Sequence, residues 1–438
     1  MPAPAAALPS SSPAGPATGL GTDWRRVASL LHASRALDEI EETRLVPERK
    51  VLYQFSARGH DFAQILLGLQ LRDAHDGISL YYRSRPLMLA LGVSLEEAAA
   101  GPLARSGAFS GGRDIGVVFN LPGRGGPTVL PACGGVGTQY TPAAGWAQAI
   151  RYRHETLADD TYARSIAVVL GGDASTATNG FWSALNIATT LALPLLFYIE
   201  DNGYGISVPA RLQTPGGNIA ANLRSFAGLS IVEGDGSDPR ATEELTRAAV
   251  AQVRERRTPV MLRLTVPRLS GHSGQDTQAY KSPDTLRAER ERDPLSRLEA
   301  FLVPRLMSAQ EWRSLESAAR TEVEGAIERA LARPPPDPGK LTAHVFSRVA
   351  GGGLSLQEQG GLAPEGYEFA PTSTAPQPQG TRINMLTAIR RTLDAELALN
   401  PRMLVFGEDV GPKGGVHGAT LGLQDKYGGA RVFDTSLS

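Results

Sequence analysis

The chain has 438 residues, which is long enough for two or three domains with a sizeable core. Its formal net charge is −1 at pH 7 and 20% of its residues are charged, so the composition offers no basic surface for nucleic acid or an anionic membrane. No run reaches the roughly 18 apolar residues that a membrane span needs. Residues 1–24 lack a basic start followed by an apolar block and are predicted to be a disordered tail.

The single cysteine, Cys133, excludes an internal disulfide, as suits a reducing compartment. Free cysteines are among the most buried residues of proteins, so we expect Cys133 to be a small, buried, apolar residue. Because neither a membrane span nor a signal peptide is evident, the sequence predicts a soluble, cytoplasmic protein.

Strand and helix patterns alternate over residues 28–330. The clearest strand pattern is the aliphatic run IAVVLGG, which has no polar alternation and is typical of a strand buried on both faces. Strands are predicted at residues 166–172, 195–201, 230–236 and 260–266, with helical patterns at 181–188 and 242–256 between them. Repeated strand–helix–strand units predict an α/β fold with a mostly parallel sheet and helices on both faces.

A second, shorter region is predicted after a linker. A long helix should begin at Ser308, where Glu311 three residues later completes a capping box, and three prolines at 334–336 should end it. Residues 346–382 are rich in Gly, Pro, Gln and Ser, which is a linker composition. A helical stripe and a short strand at 403–407 then predict a truncated second α/β domain over residues 383–438.

Polar residues follow two predicted strands at the same edge of the sheet. Asp173 ends the first strong strand and Asn202 follows the next one, so the strand–helix–strand unit brings them together where open parallel sheets bind ligands. A carboxylate, an amide oxygen and backbone carbonyls suit a magnesium ion that also holds phosphate oxygens. Gly171 and Gly172 would let the backbone approach a diphosphate. The alternative is that both segments are ordinary turns.

The segment GGDASTATNG…IEDNGYGIS resembles the thiamine-diphosphate motif, Gly-Asp-Gly followed by Asn-Asn about two dozen residues later. Ala174 replaces the third Gly of the motif and Asp201 replaces its first Asn. The longer string resembles the alpha subunit of 2-oxo acid dehydrogenases, particularly the branched-chain type. The resemblance implies that Asp173, Asn202 and the backbone oxygen of Tyr204 bind Mg²⁺. It also implies a thiamine-diphosphate-binding fold in which the motif positions Gly172, Asp173, Ala174 and Asn202 contact the cofactor.

Two further segments resemble cofactor contacts of the same family. In LYYR, Tyr82 and Arg83 match a Tyr-Arg pair that contacts the diphosphate, and a guanidinium suits that role by its charge and forked geometry. The alternative is that Arg83 and Arg85 simply begin a basic helix. Val136, in VGTQYTPAAGWA, matches the residue that supports the bent cofactor, although an isolated aliphatic residue is more often plain core.

The segment RLSGHSGQDTQAY resembles the family's Arg-x-Gly-His-His-Ser loop, with Gly271 in place of its first His. The resemblance implies that Arg268 contacts phosphate and that His272 lies by the reacting centre. We expect His272 to handle protons near neutral pH during acyl transfer. The alternative is a surface turn. The family's stretch Gly-Arg-x-Met/Ile-Pro-x-His appears in this chain as GGRDIGVVFN, so its proline and its histidine are absent.

Residues 383–438 resemble the opening of the beta subunit of the same enzymes, so alpha and beta portions are predicted to be fused. Residues 25–345 would then be the diphosphate- and magnesium-binding domain. Glu408 matches a carboxylate at the cofactor-facing edge and is a candidate catalytic residue. The family's essential glutamate follows Asp-Thr-Pro-Leu-Ser, whereas this chain reads Asp-Thr-Ser-Leu-Ser and stops, which suggests a fragment.

The resemblance implies oxidative decarboxylation of a branched-chain 2-oxo acid with thiamine diphosphate and Mg²⁺. The acyl group would pass to the lipoyl group of a partner acyltransferase, and the fused chain would form a homo-oligomer. Pyruvate or acetoin is the alternative substrate. A dinucleotide-binding oxidoreductase would need Gly-x-Gly-x-x-Gly directly after a strand, which residues 134–137 only approximate. A non-catalytic cofactor-binding or assembly protein is the remaining alternative.

Overall fold

A parallel six-stranded sheet of order β2-β1-β3-β4-β8-β7 organises the computed structural model, which describes residues 21–116, 118–123, 125–341, 343, 380–407, 410–415 and 417–434. Two further pairs, β5-β6 and β9-β10, lie outside this sheet. The strands are β1 (Gly77–Ser79), β2 (Thr128–Val129), β3 (Ala167–Gly172), β4 (Leu195–Asp201), β5 (Tyr204–Gly205), β6 (Val208–Pro209), β7 (Ser230–Asp235), β8 (Val260–Thr265), β9 (Val405–Gly407) and β10 (Val432–Asp434).

Helices cover both faces of the large sheet, which confirms the predicted α/β fold. They are α1 (Trp24–Ile40), α2 (Asp61–Gln70), α3 (Arg85–Ala90), α4 (Leu95–Ala100), α5 (Tyr140–Arg151), α6 (Asn179–Thr190), α7 (Ile219–Asn222), α8 (Pro239–Arg256), α9 (Pro283–Glu291), α10 (Pro294–Leu302), α11 (Ala309–Ala332), α12 (Met385–Leu399) and α13 (Leu423–Tyr427). No helix in these described ranges is both long and apolar enough to cross a bilayer.

The central strands send alternate side chains into two separate cores. In β3, Val168 and Leu170 pack on the face covered by α1, α2 and α8, whereas Ala167 and Val169 pack against α5 and α6. Every residue of β4 is buried. Burial on both faces explains why these strands read as continuous aliphatic runs, because neither face needs polar residues.

Local signals place the helix ends close to their predicted positions. Ser308 accepts a hydrogen bond from the backbone N–H of Glu311 while the Glu311 carboxylate accepts one from Ser308, which is the predicted capping box of α11. That helix ends at Ala332, just before the three prolines. Helix α8 begins at Pro239, three residues before the prediction, because Asp238 caps it by accepting from the backbone N–H of Ala241.

The C-terminal region, residues 380–434, forms a small unit around the buried side chains of Leu397, Leu423 and Val432. Strands β9 and β10 pair in parallel. The Tyr152 hydroxyl, on the main body, donates to the carbonyl of Pro401 at 2.6 Å. Most of the predicted linker and most of the predicted N-terminal tail lie outside the described residues, so those domain boundaries stay predictions.

Candidate functional site

A cavity of about 370 Å³ opens where β3 and β4 end. This is the edge at which parallel sheets bind ligands. The cavity brings together nine of the residues singled out from the sequence, namely Tyr82, Arg83, Val136, Gly172, Asp173, Ala174, Asn202, Tyr204 and His272. Gly171, Arg268 and Glu408 are not among them: Gly171 and Arg268 do not line the cavity, and Glu408 lies outside the described residues.

Asp173 is a buried carboxylate with one oxygen left over. It begins the 3₁₀ turn Asp173–Ala177 directly after β3 and is 5% exposed. Its Oδ1 accepts from the backbone N–H of Asn202 at 3.3 Å, whereas its Oδ2 is buried without a hydrogen-bond partner. Burial, with the nearby charge of Asp201, raises the pKa of Asp173 to about 7. An unpartnered buried carboxylate oxygen is the kind of donor that a divalent cation satisfies.

Asn202 and Tyr204 stand beside Asp173 in the turn after β4. The Asn202 side-chain oxygen accepts from the backbone N–H of Tyr204 at 3.0 Å, and its Nδ2 lies 3.1 Å from Nε2 of His60. The described residues contain no cluster of three or more His, Cys, Asp or Glu side chains suited to a metal. The expected set is of another kind, since it combines one carboxylate, one amide oxygen and one backbone oxygen.

The two departures from the resembled motif have local explanations. Asp201 points to Arg263, whose Nε donates to its Oδ2 at 2.7 Å, so the extra carboxylate is paired and does not line the cavity. Ala174 carries a methyl group where the motif has glycine. A Cβ built on Gly205 would lie 2.6 Å from that methyl carbon, so glycine at 205 makes room for it.

Arg83 is a buried cation whose partners are carbonyl groups. Its side chain is 2% exposed, and its guanidinium donates to the carbonyl of Ser56 and, at 3.1 Å, to the carbonyl of His272. No carboxylate of the described residues lies within ion-pair distance of it. Arg85 differs, because it forms ion pairs with Asp38 and Glu41 at 2.5 Å each. Arg85 is therefore neutralised, whereas Arg83 can bind an anion in the cavity.

His272 lies in the cavity wall beside two aromatic rings. Its imidazole packs edge-on against Phe55 at 5.3 Å and Tyr82 at 5.6 Å between ring centroids. Burial, reinforced by the positive charges of Arg83 and Arg268, lowers the pKa of His272 to about 4. The expectation of titration near neutral pH therefore needs correction. The imidazole is neutral at pH 7 because protonation would place a third positive charge in a desolvated site.

Arg268 is buried beside the cavity and does not line it. It is 1% exposed and donates to the carbonyl of Ile206 at 2.9 Å and to the hydroxyl of Tyr280. Its guanidinium lies 5.7 Å from the ring centroids of Tyr204 and Tyr280. In this arrangement Arg268 holds the turn that carries Tyr204, and the predicted contact with phosphate stays a prediction.

The loop that contains Cys133 and Val136 borders the cavity. The prediction of a buried Cys133 is wrong, since the residue is exposed and its Sγ lies 3.0 Å from the Thr138 hydroxyl. Cys133 lies in an irregular loop after β2. Val136 is 50% exposed and lines the same cavity, so the alternative of a plain core residue is also wrong.

The buried polar residues that escaped the sequence analysis include Tyr81, which lines the cavity, and His60, Gln64 and Glu200, which do not. Glu200 is fully buried and accepts hydrogen bonds from the Gln64 amide and the Tyr81 hydroxyl at 2.8 Å each. Burial raises the pKa of Glu200 to about 7. The sequence did carry a signal for Glu200. This glutamate directly follows the apolar run LLFYI in a predicted buried strand, where a carboxylate needs buried hydrogen-bond partners.

Comparison with known proteins identifies the family of the chain. The family described as Dehydrogenase E1 component matches residues 33–339, which is more than half of the chain. The chain therefore belongs to the dehydrogenase E1 component family, the thiamine-diphosphate-dependent alpha subunits of 2-oxo acid dehydrogenases.

Individual relatives are distant and cover only part of the chain. The chloroplastic pyruvate dehydrogenase E1 component subunit alpha-3 of Oryza sativa subsp. japonica is 28% identical over 221 residues, which are 50% of this chain and 52% of that protein. The pyruvate dehydrogenase E1 component subunit alpha of Porphyra purpurea is 25% identical over 281 residues, 64% of this chain and 80% of that protein. The mitochondrial 2-oxoisovalerate dehydrogenase subunit alpha of Homo sapiens is 28% identical over 194 residues, 43% of this chain and 42% of that protein. The chain thus spans about half the length of the rice and human proteins.

Proposed function

We propose that the cavity binds the magnesium complex of thiamine diphosphate and serves the oxidative decarboxylation of a 2-oxo acid. One observation carries the proposal. The same cavity holds a carboxylate oxygen of Asp173 and a buried guanidinium of Arg83, and among the described residues the first has no hydrogen-bond partner and the second no counter-ion. A free cation and a free anion would each satisfy only one of these groups, whereas a magnesium diphosphate satisfies both.

Each residue then has a stated task. Tyr82 and Arg83 bind the diphosphate, while Asp173, Asn202 and the backbone oxygen of Tyr204 hold Mg²⁺. When bound, thiamine diphosphate supplies a carbon nucleophile and an electron sink for the carbanion left after decarboxylation. Val136 supports the ring system from the cavity border.

His272 acts beside the reacting centre as a neutral imidazole, which can donate one hydrogen bond and accept another. Burial and the positive charges of Arg83 and Arg268 lower its pKa and favour the neutral form, so we propose that it orients the reacting group by hydrogen bonding. The rings of Phe55 and Tyr82 pack against this imidazole.

The substrate is proposed at two levels. Relatives named for pyruvate and for 2-oxoisovalerate both match the chain, so a 2-oxo acid is the general proposal. The branched-chain acid is our specific proposal, on the resemblance of the motif string, and pyruvate is its equal rival. Turnover of 2-oxoisovalerate against pyruvate in the full-length natural protein, followed with an artificial electron acceptor, decides between them.

The assembly is a proposal of the same kind. Residues 383–438 would open a fused beta-type portion, and the fused chains would form a homo-oligomer that passes the acyl group to a lipoyl-bearing acyltransferase in the cytoplasm. The mass of the natural chain tests the fusion, since a chain of 46 kDa would exclude a complete beta-type portion.

The alternative from another class is a protein that kept the fold and lost catalysis. The retention of Asp173, Arg83 and His272 in one cavity speaks against decay, because a decayed site has no need of a buried unpaired charge. A dinucleotide-binding oxidoreductase is set aside by membership of the E1 component family.

Binding of thiamine diphosphate with and without Mg²⁺, measured by isothermal titration calorimetry, tests the proposed function. We expect binding that depends on Mg²⁺ and that Asp173→Ala weakens by at least about 100-fold, since Mg²⁺ is a hard cation bound chiefly by carboxylate and phosphate oxygens and Asp173 is the one carboxylate of the proposed set. Asp284→Ala, at a largely exposed position, is the matched control. Binding that is indifferent to metal, or no binding at all, would contradict the proposal.

A further inference from the structure

His60 is a fully buried residue that touches the candidate metal site without lining its cavity. It immediately precedes α2, where its backbone N–H donates to the carbonyl of Ala57 at 2.9 Å and its carbonyl accepts from the backbone N–H of Gln64 at 3.2 Å. Both backbone groups are therefore engaged, whereas Nδ1 of the imidazole is buried and has no hydrogen-bond partner among the described residues. Its Nε2 lies 3.1 Å from Nδ2 of Asn202.

The contacts of Asn202 determine which way its amide faces. The backbone N–H of Tyr204 is a donor, so the atom that meets it at 3.0 Å must be the side-chain oxygen. The Asn202 amide nitrogen then faces His60, and because this nitrogen carries only hydrogens, Nε2 of His60 must accept. A rotation of the amide by half a turn would oppose two donors at Tyr204.

We propose that His60 is a positioning residue that holds the Asn202 amide with its nitrogen toward His60 and its oxygen toward the Tyr204 backbone, and thereby sets the affinity for the divalent cation. This inference rests on the proposed function, since it concerns the same metal. It assigns His60 a role that none of the cavity-lining residues can take, because Tyr204 anchors only the oxygen of the amide. Hydrogen bonds from outside the ligand shell fix the orientation of metal ligands and strengthen binding 10- to 100-fold.

The test compares three variants of the full chain. His60→Phe keeps a ring but removes the acceptor, so a buried amide N–H of Asn202 loses its partner. His60→Gln can offer a carbonyl oxygen near the position of Nε2 and should rescue binding. His32→Phe is the matched control, because His32 is also buried, at 5% exposed, but packs against Trp312 far from the cavity.

The primary measurement is the dissociation constant of Mn²⁺ in the presence of thiamine diphosphate, from electron paramagnetic resonance of the free ion. We expect His60→Phe to weaken Mn²⁺ binding by roughly 10- to 100-fold. His60→Gln should remain within about threefold and His32→Phe unchanged, on the same reasoning. Thiamine diphosphate affinity at saturating Mn²⁺ should move little in all three, which separates loss of metal positioning from loss of the whole site.

The outcomes distinguish the two proposals. If the unmodified chain shows no metal-dependent binding of thiamine diphosphate, the proposed function fails. If it does, and His60→Phe retains its Mn²⁺ affinity, the positioning role is wrong while the proposed function stands. A general loss of folding in His60→Phe would appear as a lower melting temperature of the cofactor-free protein, and His60→Gln then decides: a folded His60→Gln with weak Mn²⁺ binding overturns the inference.

Discussion

In the main body, residues 21–341, every residue of β4 is buried, whereas in the C-terminal region, residues 380–434, helix α12 buries only Leu397. Helix α12 leaves Met385 79% exposed, and β9 leaves Phe406 53% exposed. The main body thus covers both faces of its sheet with its own helices. The C-terminal region consists of a two-stranded sheet and two helices with an incomplete cover, which is a marginal unit in water.

This difference shows where a precise site can be built. A buried unpaired charge such as that of Arg83 persists only if the surrounding structure is stable enough to keep it from water. The two cores of the main body provide that stability at the carboxyl edge of β3 and β4. The C-terminal region alone is too sparsely packed to keep a buried charge from water. We therefore expect its residues to contribute to a site only when further structure covers them.

Truncation of one leucine in each region gives the largest expected contrast. Leu185, on α6, is fully buried between α5 and the sheet, and Leu185→Ala should lower the free energy of unfolding by about 2–5 kcal/mol. Leu397→Ala, in the small C-terminal core, should leave the main unfolding transition unchanged. Tryptophan fluorescence in urea measures this transition, because all four tryptophans lie in the main body. Equal losses in the two variants would show that both regions unfold as one unit.

Arg83 and Arg431 both donate to backbone carbonyls, but only Arg83 lines the cavity. Comparing their methionine variants shows whether the position in the cavity is what creates an anion site. Arg83→Met should weaken thiamine diphosphate binding by roughly 100-fold, since charged hydrogen bonds are lost from a buried place. Arg431 donates to the carbonyls of Asn400 and Met403 in the C-terminal region, and Arg431→Met should leave binding unchanged. Calorimetric titration at fixed Mg²⁺ measures both. Similar affinities for Arg83→Met and the unmodified chain would remove the anion site.

Neighbouring glycines at the end of β3 differ in what a side chain would meet. A Cβ on Gly171 would overlap the hydroxyls of Tyr140 and Ser175, which are hydrogen-bonded to each other at 2.5 Å, so Gly171→Ala should cost about 1–3 kcal/mol. A Cβ on Gly172 would lie 3.7 Å from the carbonyl oxygen of Glu200, and Gly172→Ala should stay within about 0.5 kcal/mol. Urea unfolding measures both.

The C-terminal region supplies a third glycine for the same test. A Cβ on Gly411 would lie 2.8 Å from Nε2 of Gln424 and 3.0 Å from Oδ1 of Asp434, which are longer distances than the 2.2 and 2.4 Å to the hydroxyls at Gly171. Gly411→Ala should therefore cost less than Gly171→Ala. A larger loss for Gly411→Ala would mean that the C-terminal region is packed more tightly than its exposed apolar residues indicate.

Elements fixed by local sequence patterns were easier to predict than residues fixed by contacts with distant parts of the chain. Strands β3 and β4 were predictable because they are continuous apolar runs, and the meeting of Asp173 with Asn202 followed from parallel topology. Strands β1 and β2 have three and two residues and left no pattern to read.

Residues held by distant partners were harder to place. The contact of His60 with Asn202 joins positions 142 residues apart, and no local pattern encodes it. The burial of Arg268 and the exposure of Cys133 likewise depend on which loops cover them. Composition statistics describe residue types, whereas these outcomes depend on tertiary packing.

The smallest expected effect concerns the pH dependence of the cofactor-free main body. The pKa of His272 is about 4 in the folded chain and near 6.5 in the unfolded chain, so the unfolded state binds a proton more readily. The stabilising contribution of the neutral imidazole is therefore complete above pH 6.5 and is lost as the pH falls from about 6.5 to 4.

His272→Asn removes the titrating group and should flatten this part of the stability profile, as measured by urea unfolding at several pH values. His417, in the C-terminal region, is the matched control, and His417→Asn should leave the profile of the main body unchanged. If the free energy of unfolding changes with pH in His272→Asn as it does in the unmodified chain, solvent reaches the imidazole. In that case the cavity would be open at His272, and the main body would not shield its site as its burial indicates.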